Sequence, residues 1–62
     1  MINKDLAESI YQNWINGNKT DVKKQLKNKS KLFIIDLIFF IAETTEDYKM
    51  ACYEVYKMVE VD

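Results

Sequence analysis

A chain of 62 residues is one domain, and at that size folding buries only ~60% of the surface the unfolded chain exposes. Nine lysines against ten acids leave a net charge of −1, and 48% hydrophobic with 31% charged residues is a globular rather than a disordered composition. With no histidine, arginine or proline, one glycine and one cysteine, the chain has no intrachain disulfide and too few ligands for a structural zinc site.

A scaffold this small ordinarily leans on a staple. Here the remaining candidates are tight helix packing or another chain. The single thiol and the absence of an apolar leader at Met1-Ile2-Asn3-Lys4-Asp5 set the expectation of a cytoplasmic protein. The longest apolar run, Leu32 to Ala42, is broken by Asp36 and falls short of the ~20 residues a membrane span needs.

In chain order, Leu6, Ala7, Ile10, Tyr11, Trp14 and Ile15 recur at spacings of three and four, which predicts a first helix over about 4–16. Asp5 with Glu8 reads as its cap and reciprocal acid. Asn16-Gly17 is also a hairpin signal, but the flanks are helical in period, so Gly17 fits the left-handed residue that ends a helix. Asn18 or Thr20 then caps a second helix over about 19–28, whose only apolar seam is Val22 and Leu26.

Ser30 caps a third helix over about 31–43. Lys29, Asp36 and Glu43 share one narrow polar strip of it, and apolar residues cover nearly all the rest. A helix apolar nearly all round is a buried helix, and three short neighbours are too few to wrap it. Thr44 with Asp47 reads as a capping pair for a fourth helix over about 46–60, joined to the third by a loop or a bend. Its stripe is Tyr48, Ala51, Cys52, Val55, Tyr56, Met58 and Val59, with Met50 and Tyr53 off the stripe and exposed. The fold class is therefore all-α, a compact bundle of three or four short helices, with a homodimer as the simplest way to hide the third helix.

Charge is segregated. Residues 19–31 carry six lysines and one acid, whereas residues 42–62 carry six acids and two lysines. The acidic segment as a nucleic-acid mimic is a weak reading, because lysines interrupt it.

Catalytic chemistry is poorly supplied. No histidine serves as base, Cys52 lies on an apolar stripe where a thiol is inert packing, and Asp36 near Glu43 reads as a solvated strip. The chain is expected not to be an enzyme and to need no cofactor or metal. Protein binding rests on surplus apolar surface, with Tyr11, Trp14, Phe33, Phe40 and Tyr53 as candidate anchors, since aromatic residues dominate interface energetics. Lys23, Lys24 and Lys27 are candidate steering charges or phosphate contacts. The first helix, Gly17 and the second helix partly match a helix-turn-helix, although Val22 comes one position early. Arginine, the commonest reader of guanine, is missing.

The stretch Trp14-Ile15-Asn16-Gly17-Asn18-Lys19-Thr20-Asp21-Val22, with Leu26 and then Ser30-Lys31-Leu32, resembles short helical proteins of bacteriophages and other mobile elements over about half the chain. The resemblance is a Gly-Asn helix break before a Val-x3-Leu helix. It implies a stoichiometric role, occupying a host or defence protein or regulating transcription. The expectation is a non-enzymatic protein-binding module of the phage-inhibitor kind, partnered by itself or by another protein. The alternative is a small nucleic-acid-binding regulator that uses the lysine-rich second helix. No membrane role is expected.

Overall fold

Asn3 caps the first helix. Its extended backbone lets its Oδ1 accept from the N–H groups of Asp5 (2.9 Å) and Leu6 (3.4 Å), two of the donors that a helix start leaves unpaired. The computed structural model describes residues 3–60. Asp5 is thus not the cap: it lies inside the first turn of α1 (Lys4–Ile15), where its charge still meets the positive end of the helix. Gly17 follows at φ +92, a left-handed conformation that glycine adopts without penalty.

Asn18 occupies the cap position of α2 (Lys19–Leu26) but makes no side-chain cap bond. Its Nδ2 instead donates back to Asn13 Oδ1 at 3.3 Å, bracing the turn. Val22 and Leu26 are buried as their spacing predicts, and the other α2 side chains are exposed or half-buried.

Ser30 Oγ accepts from the Phe33 N–H at 3.2 Å and starts α3 (Lys31–Thr45). This helix runs two residues beyond the expected end at 43. The hydroxyls of Thr44 and Thr45 donate to the carbonyls of Phe40 (2.9 Å) and Ile41 (2.8 Å) one turn back, so both threonines belong to the last turn of α3. The expected Thr44–Asp47 capping pair does not form. Glu46 breaks the helix in the left-handed region at φ 59, and Asp47 Oδ1 caps α4 (Tyr48–Val59) by accepting from the Met50 N–H at 2.9 Å.

The α3–α4 pair is the largest helix–helix interface in the molecule. The two helices run antiparallel: Phe39, late in α3, meets Tyr48 at the start of α4, while Ile34, early in α3, shares a groove with Met58 and Val59 at the end of α4. Helix α1 packs on α3 and α2, and α2 packs on α4. Four helices and no strand occur among the described residues, so the fold is an all-α bundle.

Each helix contributes to one core: Ala7, Ile10 and Trp14; Val22 and Leu26; Leu37, Ile41 and Ala42; Ala51, Val55 and Met58. The three alanines let the backbones approach, and Ile10, Leu37, Ile41 and Met58 fill the space between. Burying a side chain of this size contributes ~1.5–3 kcal/mol. A polar link crosses the bundle: Trp14 Nε1 donates to Glu54 Oε2 at 2.6 Å, joining α1 to α4. The Lys19 ammonium lies 4.8 Å from the centre of the same indole ring.

Candidate protein-binding face

Three apolar residues of α3 point away from the core. Leu32, Ile35 and Phe39 follow at intervals of three and four, which places them on one side of a 3.6-residue helix, opposite Leu37 and Ile41. Leu32 is 74% exposed and Phe39 50%. Tyr48, Cys52 and Tyr56 recur every four residues on α4 and are exposed as well, the tyrosines to 58% and 63%. The Phe39 and Tyr48 rings meet edge to face at 6.3 Å between centroids. The antiparallel pair thereby joins the two rows into a single apolar and aromatic face.

The sequence-predicted anchors fare differently. Trp14 is 5% exposed and belongs to the core, so it offers no surface to a partner. Tyr11, Phe33 and Phe40 are half-buried and packed against the core. Phe33 and Phe40 lie on the other flank of the Asp36 strip, and the Lys29 ammonium stands 5.1 Å over the Phe33 ring. Tyr53 is exposed as expected, but it is away from the Phe39–Tyr48 contact, and the Lys57 ammonium covers its ring at 4.4 Å. Hydrogen bonding to Tyr53, then the charges of Tyr53, Glu54 and Glu60, raise the Lys57 pKa above its ordinary value, with desolvation acting the other way.

Cys52 departs from its expected place. The stripe of α4 is wider than the core it faces: Ala51, Val55 and Met58 take the inner positions, and Cys52, one residue round the helix from Ala51, is left exposed. Its free thiol stands in the middle of the face. The residues that sequence reasoning missed are Leu32, Ile35, Phe39, Tyr48 and Tyr56. The alternation of Leu32 and Phe39 across the Asp36 strip from Phe33 and Phe40 was the available signal. It could not say which flank turned inward.

The rim of the face is charged unevenly. Asp36 and Glu43 border it on the α3 side and Lys49 on the α4 side. Lys23, Lys24 and Lys27 are elsewhere, around the groove between α2 and the end of α4. Among the described residues, no three His, Cys, Asp or Glu side chains gather to hold a metal ion, and no helix is long and apolar enough to cross a membrane. No protein-family description matches the chain, and no curated protein and no solved structure matches it either.

Proposed function

We propose that the chain is a non-enzymatic protein-binding module that docks through the outer face of the α3–α4 hairpin, and that a second copy of the chain is its first partner. The observation that carries this reading is the contiguous exposure of Leu32, Ile35, Phe39, Tyr48 and Tyr56. Together they leave roughly 600 Å² of side-chain surface, the upper end of what one patch on a monomer shows. Two such faces reach the ~1,200 Å² at which stable interfaces begin.

The charged rim favours one arrangement. A two-fold axis parallel to the helices sets α3 of one copy against α4 of the other. The acids Asp36 and Glu43 then approach the partner's Lys49, and every neighbouring helix pair is antiparallel. An axis across the helices would instead set acid against acid. The resemblance of Trp14–Val22 to phage and mobile-element proteins adds a biological frame, an inhibitor or modulator that occupies a host or defence protein with this face. A surface thiol in an adaptable contact suits the reducing cytoplasm.

Sedimentation equilibrium tests the reading. The wild-type chain is expected at twice its monomer mass, and Phe39→Asp at the monomer mass with its helical circular dichroism retained. A wild-type chain that stays monomeric at millimolar concentration removes the dimer. If Phe39→Asp also leaves every interaction of the chain in its host unchanged, the docking face itself is wrong.

A second reading, nucleic-acid binding through α2, draws on the gathering of Lys23, Lys24 and Lys27 around one groove. Changing all three to Glu ends binding to short duplexes under that reading. Under the first reading it only slows association with a neutral partner.

A further inference from the structure

Two adjoining hollows lie between α2 and the C-terminal half of α4. The larger, of about 550 Å³, is lined by the buried Leu26 and Met58, offers apolar surface from the half-buried Ile34 and the exposed Val59, and has Lys23, Lys24, Lys27 and Lys29 around it. The smaller, of about 290 Å³, is lined by Trp14, Lys19 and Lys57 and shares Thr20, Lys23 and Glu60 with the first. Among the described residues that line them, Glu60 is the one acid. In a chain of net charge −1, this is a concentrated positive basin over a greasy floor. It shares no residue with the outer face of α3–α4.

We infer that this basin binds an acidic amphipathic segment of another protein, a stretch that alternates carboxylates with Leu- or Val-like side chains. Lys19 to Lys29 span ten residues of chain, so the cations are spread out rather than focused on a point. One carboxylate or phosphate on a small amphiphile engages only one or two of them. A polyphosphate backbone matches the charges but has nothing to place on Ile34 and Val59, the apolar residues that show surface there. The basin also lacks a free aromatic face for a base, because the Trp14 ring is nine-tenths buried, carries Lys19 and is bonded to Glu54. An acidic helix with an apolar stripe satisfies both the rim and the floor, as groove-bound helices do.

Trp14 borders the smaller hollow and is the only tryptophan, so its fluorescence reads occupancy by a Trp-free probe. The probe is a peptide of about twelve residues, ~18 Å as a helix, with Leu every three or four positions among Glu and Asp. Two controls accompany it: the same peptide with Ser for Leu, and an oligothymidylate of similar length. The wild-type chain is expected to bind the Leu peptide at least about tenfold more tightly than either control. Lys24→Glu/Lys27→Glu, at two exposed positions, is expected to weaken it by about tenfold or more. Val59→Ser, at a partly exposed floor position, is expected to weaken it severalfold, and Phe39→Asp to leave it unchanged. Equal binding of the Ser peptide or of oligothymidylate overturns the inference in favour of a purely electrostatic surface. Failure of the Leu peptide to bind, or loss of its binding in Phe39→Asp, overturns the basin as its site.

Discussion

The two sides of α3 are built from the same residue types and end in opposite environments. Leu37 and Ile41 are sealed in the core, whereas Leu32, Ile35 and Phe39 stand in solvent beside Tyr48 and Tyr56. Hydrophobicity alone therefore does not decide burial in a chain this short. One side of α3 has α1 and α4 to pack on, and the other has no helix left to cover it. Apolar surface that a single copy cannot bury is surface that a partner can.

Breaking the inner side gives the largest effect. Leu37→Ala removes a fully buried side chain and is expected to cost about 2–5 kcal/mol, enough to unfold most of a domain whose total stability is of the order of 5 kcal/mol. A urea melt followed by circular dichroism measures it. Ile35→Ala on the outer side is expected to shift the same melt by no more than ~0.5 kcal/mol while weakening self-association.

The phenylalanines sharpen the contrast. Phe33→Asp places a charge on a ring half-buried against the core and is expected to lower stability by about 2 kcal/mol. Phe39→Asp is expected to leave the melt nearly unchanged and abolish the dimer. Equal loss of stability in the two variants would mean that α3 has no distinct outer side.

Trp14→Phe keeps most of the core volume but removes the donor to Glu54. Its expected cost is about 1.5–3 kcal/mol, and Glu54→Gln, which keeps an acceptor for the indole, is expected to cost less. The smallest effect lies at the reversal between the two helices. Glu46 holds a left-handed conformation without being glycine, so Glu46→Gly is expected to raise stability by about 0.5–1 kcal/mol in a thermal melt. Because Glu46 is outside the Phe39–Tyr48 row, the dimer constant is expected not to move beyond that gain.

The elements were largely legible in the residues. Helical spacing located all four helices, Ser30 and Gly17 marked their boundaries, and Val22 with Leu26 defined the narrow seam of α2. These are local effects of capping and backbone preference, and they do not depend on what lies across the bundle. The caps that were misassigned show the limit of local reading. Asn3 displaced Asp5, and Asp47 displaced Thr44, because neighbouring polar residues compete for the same backbone donors and the winner depends on where the chain turns.

The exposed face of α3–α4 was legible only as a surplus. Composition and the all-round greasiness of residues 32–42 dictated that some apolar surface would stay uncovered, since a bundle of this size has too little chain to enclose it. Which flank stayed out was settled by tertiary packing. Leu37, Ile41 and Ala42 turn into the core that α3 shares with α1 and α4, Phe33 and Phe40 are half-covered at its edge, and Phe39 stays exposed beside Tyr48 because the described chain has no fifth helix to lay over that side.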